Sequence, residues 1–265
     1  MKNTNLFSYI MMWIQFKILF FSIILVLLSN SCHKTSDKEN FNKRPISLEA
    51  RVSNRSLTDK KKHQNPTIAL YLESLGLVNI LELDRSIKVE IKYSTTDNFT
   101  GTILYDSLYQ AYLHPLAADK LIKAQKLLKS NDTTLSLLIY DAARPMSVQR
   151  KMYAVVQNTP YHAYVANPSR TGMHNYGMAV DLTICTEDGT PLDMGTPFDY
   201  FGRAAGINKE DQLISEGILT AKQVENRRLL RRIMTEAGFI AIRGEWWHFN
   251  ASSLEYAQKN ISLIE

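Results

Sequence analysis

Four residues of this sequence have the chemical types and the spacing of a catalytic metal site. His174 and Asp181 lie seven residues apart, and Glu245 and His248 follow about 70 residues later. Two imidazoles and one carboxylate are the ligand set of a catalytic zinc site, which keeps its fourth position open for water. The remaining carboxylate, Glu245, lies three residues before His248, where it can take a proton from that water. If the two segments meet in space, these residues predict a zinc hydrolase.

The first pair requires a strand and a preceding loop. Apolar residues from Met178 to Ile184 predict a strand in which side chains alternate between two faces. Asp181 then shares one face with the small Ala179, whereas the bulkier apolar residues form the core on the other face. His174 precedes the strand, and Gly177 allows the loop to turn back tightly. By itself this segment is weak evidence, because a single histidine in a loop is more often a surface residue.

The second pair leaves a geometric question open. In a flat strand Glu245 and His248 face opposite sides of the sheet, so both reach one site only if a strand end or a bulge intervenes. Trp246 and Trp247 are candidates for the wall of the site, where a low dielectric raises the pKa of Glu245. The alternative is that both tryptophans are ordinary core residues and that Glu245 is a surface acid.

Mixed helical and strand patterns indicate a single α+β domain over residues 66–265. Strands and helices do not alternate strictly, which favours a mainly antiparallel central sheet flanked by helices. The predicted strands are 89–93, 135–140 and 178–184, and Phe239, Ala241 and the run 245–249 are candidates to complete the sheet. The predicted helices are 115–128, 145–156 and 226–237.

The N-terminal residues 1–31 have the pattern of a secretory signal. Lys17 precedes an apolar run that is interrupted only by Ser22, and small residues follow before Cys32. A cysteine at this place resembles a lipoprotein cleavage site, at which Cys32 is lipidated. The sequence therefore predicts an exported, membrane-anchored lipoprotein of the cell envelope, in the periplasm or at the outer membrane. An ordinary cleaved signal and an uncleaved anchor are the alternatives.

The net charge of +5 comes from the N-terminal part of the chain. Residues 32–65 are polar and basic and predict a flexible tether, whereas the chain from residue 64 onward has 20 basic and 22 acidic residues. With no basic patch in the domain, we expect no nucleic-acid partner. Cys185 is the only cysteine besides Cys32, so we expect a buried free thiol and no disulfide.

The motifs resemble those of the M15 metallopeptidases, and more specifically of D-alanyl-D-alanine dipeptidases of the vancomycin-resistance type. His174 through Asp181 matches the pattern His-x-x-Gly-x-Ala-x-Asp, and Glu245 through His248 matches Glu-x-x-His. The similarity extends over about residues 75–255. Further matching segments are Tyr93 with Asp97–Gly101, Asp141–Pro145, Asp181–Thr183, Met194–Asp199 and Asn226–Arg231.

The resemblance implies a Hedgehog/D-Ala-D-Ala peptidase-like domain with one zinc ion per chain. Zinc would be bound by the two histidines and Asp181, and Glu245 would act as general base and acid. Arg144 would stabilise the oxyanion of the transition state, which a fixed guanidinium can do in a dry site. Tyr93 and Asp199 match positions near the substrate's amino group.

Two departures from the family pattern affect the substrate pocket. Gly172 stands where the family usually has a serine, two residues before the first zinc histidine, so the resemblance does not imply the substrate hydrogen bond of that serine here. The connection from Arg144 to His174 is also shorter than in the resistance enzymes.

We therefore expect a zinc peptidase that hydrolyses D-Ala-D-Ala in peptidoglycan metabolism. A D,D- or L,D-carboxypeptidase or endopeptidase that trims stem peptides derived from peptidoglycan is the first alternative. A non-catalytic wall-binding module is the second, although binding alone requires neither Glu245 nor Arg144.

Overall fold

A five-stranded sheet carries the residues singled out above. In the computed structural model, residues 67–159, 161–162 and 165–265 are described. The strands of these residues are β1 Val78–Asn79, β2 Lys88–Val89, β3 Tyr112–Leu113, β4 Ser136–Asp141, β5 Ala179–Cys185, β6 Ile240–Ala241 and β7 His248–Asn250. The large sheet has the order β2-β4-β5-β7-β6, and β1 and β3 form a separate antiparallel pair.

The central sheet is mixed, which corrects the prediction of a mainly antiparallel sheet in one respect. The pairs β4–β5, β5–β7 and β6–β7 are antiparallel, as expected, but β2 and β4 are parallel. The chain between β2 and β4 includes a long helix, and a crossover of this length returns it in the same direction. The α+β class is confirmed in its coarser sense of helices packed on a mixed sheet.

Seven α-helices surround the sheets in the described part of the chain. They are α1 Thr67–Ser74, α2 Ile80–Leu83, α3 Pro115–Asn131, α4 Met146–Val156, α5 Glu210–Ser215, α6 Ala221–Glu236 and α7 Leu254–Asn260. Pro115 begins α3, as its fixed φ favours. The helix α6 begins five residues earlier than predicted, because Thr220 and Gln223 form a capping box there.

The core lies on the face of the sheet that packs against α3 and α6. Val180, Leu182 and Ile184 of β5 are fully buried in it, together with Leu121 of α3 and Ile233 of α6. Because side chains alternate along a strand, Asp181 and Thr183 lie on the other face. The predicted assignment of the two faces of β5 is confirmed, and the polar face is the one on which the site is built.

Two predicted strands are shorter in the structure. Of the predicted strand 89–93, only Val89 belongs to a strand. Tyr93 lies in a 3₁₀ turn, and its carbonyl oxygen accepts hydrogen bonds from the amides of Leu104 and Tyr105. In the last segment β7 begins only at His248, so Glu245 lies in the turn before it.

The predicted signal at 1–31, the lipidation of Cys32 and the tether at 32–65 lie outside the described residues. Within the described ranges, no helix has the length and apolar character needed to cross a membrane. Cys185 is buried and free.

Candidate metal centre and active site

His174, Asp181 and His248 converge on one point. His174 Nε2 lies 3.2 Å from His248 Nδ1 and 3.2 Å from Asp181 Oδ2, and His248 Nδ1 lies 2.9 Å from Asp181 Oδ1. One ligand atom from each residue lies within 4.8 Å of the other two. Burial disfavours the charged form of Asp181, but the two imidazoles outweigh this effect and lower the pKa of its carboxyl group. The three side chains can hold a metal ion.

Strand pairing and a tight turn explain why the three ligand side chains meet at this point. Asp181 and His248 are direct partners across the antiparallel pair β5–β7, which places their side chains on the same face. His174 lies in the 3₁₀ turn Met173–Tyr176, which ends at Gly177 with φ 63°. A Cβ atom at Gly177 would lie 2.9 Å from the backbone nitrogen of His114, so only glycine fits this close approach.

The outer nitrogens of the two imidazoles are also bound. His174 Nδ1 lies 2.6 Å from the carbonyl oxygen of Ala142, and His248 Nε2 lies 2.8 Å from Asn250 Oδ1. A carbonyl oxygen accepts only, so His174 Nδ1 donates to it, and Nε2 is the nitrogen that faces the ligand cluster. Such partners orient the imidazoles of metal sites.

Glu245 lies beside the cluster without joining it. Its Oε2 atom lies 4.0 Å from His248 Nδ1, and about a third of the side chain is exposed. In a continuous strand, Glu245 and His248 would point to opposite faces of the sheet. Because β7 begins only at His248, Glu245 precedes the strand and this restriction does not apply to it. Burial raises the pKa of Glu245. Of the two tryptophans singled out in the sequence, Trp247 lines the pocket, whereas Trp246 lines a neighbouring cleft and donates a hydrogen bond from Nε1 to Thr196 Oγ1.

The guanidinium of Arg144 is fixed by several neighbours. Its Nε and Nη2 groups donate to Asp141 Oδ2 at 2.9 and 2.6 Å, and Nη1 donates to Gln149 Oε1 at 3.0 Å. It also lies 5.1 Å from the centre of the Tyr93 ring, and its Nη2 atom is 3.7 Å from Asp181 Oδ2. The positive charge is therefore held at the edge of the ligand cluster.

Tyr93 and Asp199 form a second polar pair at the pocket. The Tyr93 hydroxyl donates a hydrogen bond of 2.9 Å to Asp199 Oδ2. Burial, with a contribution from the nearby Asp181, raises the pKa of Asp199 well above its ordinary value. Asp199 has φ 58° and is the one non-glycine residue with positive φ among those described. Such backbone strain is concentrated at functional sites.

These groups surround one pocket of about 370 Å³. All seven predicted residues of the domain line it: Tyr93, Arg144, His174, Asp181, Asp199, Glu245 and His248. The pocket lining also includes the apolar residues Met152, Val165 and Leu254, as well as Gly172. His114 and His162 do not line the pocket. His162 is exposed as predicted, whereas His114 is half-buried and its Nδ1 atom accepts a hydrogen bond from the amide of Leu116 at the start of α3. His33 and His63 lie outside the described ranges.

Sequence reasoning did not assign a role to three residues that orient the site. Asp141 and Gln149 hold the guanidinium of Arg144, and Asn250 holds His248. Asp141 faces the site because of an irregularity in β4: Ile139 pairs with Leu182, but Asp141 rather than Tyr140 pairs with Asp181. The sequence motif Asp141–Pro145 could have identified Asp141 as a site residue, whereas no sequence pattern predicts the bulge itself.

Two histidines, one carboxylate and an adjacent glutamate define the class of metal-dependent hydrolases. Comparison with known proteins identifies the family. Residues 73–264 match the peptidase M15 family that is described as D-Ala-D-Ala dipeptidase. The chain belongs to this family of metallopeptidases.

Individual relatives support the assignment. The chain is 34% identical over 177 residues to the D-alanyl-D-alanine dipeptidase of Escherichia coli (strain K12), an alignment that covers 67% of this chain and 85% of the relative. It is 31% identical over 193 residues to the D-alanyl-D-alanine dipeptidase of Enterococcus faecium, covering 66% of this chain and 91% of the relative. The enzyme of the same name from Enterococcus faecalis (strain ATCC 700802 / V583) is 28% identical over 193 residues, with 66% and 90% covered.

Proposed function

We propose that this protein is a zinc-dependent dipeptidase that hydrolyses D-Ala-D-Ala in peptidoglycan metabolism. The observation that carries the proposal is the convergence of one ligand cluster, one free carboxylate and one fixed guanidinium on a single pocket. The names of the relatives supply the substrate.

The ligand cluster has the dimensions of a zinc site. Two ligand nitrogens bound at 2.0–2.1 Å to a tetrahedral ion lie about 3.3 Å apart. The facing nitrogens of His174 and His248 are 3.2 Å apart. Nitrogen and carboxylate donors in this number suit zinc. The bound ion would polarise the substrate carbonyl and lower the pKa of water. His174, Asp181 and His248 would hold it.

Glu245 has the position of a general base and acid. Its carboxylate lies next to the cluster, with Oε2 4.0 Å from His248 Nδ1. It can accept a proton from the attacking water and pass that proton to the leaving amine. Burial raises the pKa of Glu245, which brings the carboxyl group closer to the pH at which it must exchange a proton.

Arg144 has the position of a transition-state stabiliser. Attack on the peptide carbonyl builds negative charge on its oxygen, and the guanidinium lies at the edge of the ligand cluster. Asp141 and Gln149 hold this group before substrate arrives, so no reorganisation is needed when the charge develops.

The pair Tyr93–Asp199 favours a substrate with a free amino terminus. Burial disfavours the ionised form of Asp199, and an ammonium group beside it would offset that effect. A longer stem peptide would place an uncharged amide there instead. This supports hydrolysis of the free dipeptide over removal of the last residue from a longer peptide.

A second candidate, a carboxypeptidase acting on stem peptides, is favoured by one observation. A cleft of about 860 Å³ adjoins the pocket and shares Phe99, Asp199 and Phe201 with it. A longer chain would have room there.

The cellular location of the protein is also a proposal. The apolar run before Cys32 supports export and attachment to the envelope membrane by a lipid on Cys32, from which the basic residues 32–65 would tether the domain. Dipeptides derived from the wall would then be the accessible substrate.

One assay separates these functions. The purified protein is incubated with D-Ala-D-Ala or with a pentapeptide that ends in D-Ala-D-Ala, with and without a chelator, and released D-alanine is measured. We expect turnover of the dipeptide that the chelator abolishes and added zinc restores. Preferred cleavage of the pentapeptide would support the carboxypeptidase, and binding without turnover would support a wall-binding module.

A further inference from the structure

The turn that carries His174 also holds the main chain of Arg144. The amide of Arg144 donates a hydrogen bond of 2.9 Å to the carbonyl oxygen of His174. The carbonyl oxygen of Arg144 accepts one of 2.8 Å from Asn175 Nδ2. Both backbone polar groups of Arg144 are therefore bound by two consecutive residues of the metal-ligand turn.

Asn175 is only 2% exposed, and each part of it is engaged. Its Oδ1 atom accepts a hydrogen bond of 2.8 Å from the amide of Gly172. Its carbonyl oxygen accepts one of 2.8 Å from the amide of Ile264, and the carbonyl oxygen of Ile264 accepts another of 2.8 Å from the amide of Met146. Ile264 is fully buried. Through these two hydrogen bonds, Ile264 connects the turn that contains His174 to Met146, the first residue of α4, which lies two residues after Arg144 in the sequence.

We propose that Asn175 is a positioning residue that acts through Arg144. The backbone amide of Ile264 supports Asn175 through its hydrogen bond to the Asn175 carbonyl oxygen, and we call this hydrogen bond the brace. The side chain of Asn175 fixes the Arg144 backbone, and Asp141 and Gln149 fix its guanidinium. Together they set the distance between the positive charge and the metal ligands. The role rests on the proposed function, since Arg144 matters only if an oxyanion forms at the site.

The chemistry of the side chain explains the choice of residue. Asparagine provides a donor and an acceptor on one short, rigid group, and the turn uses both. Aspartate has almost the same shape but no donor, so it would leave the carbonyl oxygen of Arg144 without its partner. A displacement of about 1 Å at a catalytic group can lower turnover by about 10²-fold.

The first test is Asn175→Asp, assayed for steady-state hydrolysis of D-Ala-D-Ala and for bound zinc. We expect kcat to fall by about 10- to 10²-fold. KM should change little, because Tyr93 and Asp199, which would bind the substrate amine, are held to each other by their own hydrogen bond. Asn260→Asp is the matched control, since Asn260 donates only to the carbonyl of Tyr256 at an exposed helix end. Unchanged kcat in Asn175→Asp would overturn the proposal.

A double-mutant cycle distinguishes positioning from general loss of structure. If Asn175 acts through Arg144, Asn175→Asp should lower kcat much less in an Arg144→Lys background than in the wild type. Equal effects in both backgrounds would show that Asn175 does not act through Arg144. Melting temperature and zinc content report any loss of folding separately.

The brace is tested by removing one amide at a time. Ile264→Pro removes the amide that binds Asn175, and Glu265→Pro, the control, removes the amide that donates to the Tyr71 hydroxyl. We expect lower kcat for the first variant only. Equal kcat values in the two variants would exclude the brace.

Hydrogen exchange separates this inference from the proposed function. If the wild type does not hydrolyse D-Ala-D-Ala, the proposed function fails, but the network can still be measured. The amide of Arg144 should exchange faster in Asn175→Asp than in the wild type or in Asn260→Asp. Unchanged exchange would contradict the proposal whatever the activity.

Discussion

The two cavities on the polar face of the sheet differ in how their polar groups are used. In the larger cleft, of about 860 Å³, the cation Lys92 is already paired, since its Nζ atom lies 2.7 Å from Glu90 Oε1 and 2.7 Å from Asp97 Oδ2. The smaller pocket, of about 370 Å³, has polar atoms that converge on one point. Size alone would select the cleft. The chemistry is in the pocket, because its groups point at a shared position that a ligand can occupy.

Asp181 and Thr183 show the same contrast within one strand. They are two residues apart in β5, on the same face, and both are buried. The carboxylate of Asp181 lies within hydrogen-bonding distance of both imidazoles. Thr183 lines the cleft, and its buried Oγ1 atom has no hydrogen-bond partner among the described residues. A step of about 7 Å along a strand separates the two environments.

The largest expected effect is at Glu245. Glu245→Gln removes the proton acceptor and keeps the shape, so kcat for D-Ala-D-Ala should fall by about 10²–10⁴-fold. Zinc content should stay at one ion per chain. Loss of zinc together with activity would mean that Glu245 is a ligand, and the pocket would then be a different kind of site.

The next effect is at Arg144. Arg144→Lys keeps the charge but loses the planar fork that Asp141 holds, so kcat should fall by about 10²–10³-fold with little change in KM. Steady-state kinetics at matched zinc content measure this. Unchanged kcat would reduce Arg144 to a structural ion pair, and an effect on KM alone would make it a clamp for the substrate carboxylate.

Asp199 lies at the boundary of the two cavities, and its substitution should affect binding of the dipeptide. Asp199→Asn should raise KM for D-Ala-D-Ala by about 10- to 10²-fold, because a charged hydrogen bond to the ammonium group is lost. The control substrate is N-acetyl-D-Ala-D-Ala, which has no ammonium group and should show no such change. Equal effects on both substrates would remove the basis for preferring the free dipeptide.

The smallest effect is expected in the cleft. Thr183→Val replaces an unpartnered hydroxyl with a methyl group in a strand that favours β-branched residues. The free energy of unfolding should rise by about 1 kcal/mol, which corresponds to roughly 2–4 °C in Tm. Activity should stay within about twofold of the wild type, since the hydroxyl touches no group of the site. A large loss of dipeptidase activity would show that the cleft takes part in the reaction.

Local patterns predicted much of the fold. The helix α3 and the strands β4 and β5 lie within one or two residues of their expected positions at most ends, because each has a regular apolar period. Shorter elements were predicted less well. The strand 89–93 has an alternating pattern, but amides from the loop at Leu104 and Tyr105 bind Tyr93 and turn the chain out of the sheet. No pattern within residues 89–93 contains that information.

The sequence by itself determined the ligand types, the candidate base and the face of β5 on which Asp181 lies. These follow from residue chemistry and from a two-residue alternation, both of which are local. Only the tertiary structure decided that β2 runs parallel to β4, that a bulge turns Asp141 toward Arg144, and that β7 starts late enough to free Glu245. The physical reason is that each of these depends on hydrogen bonds between segments far apart in the chain, whose pairing the sequence of neither segment specifies.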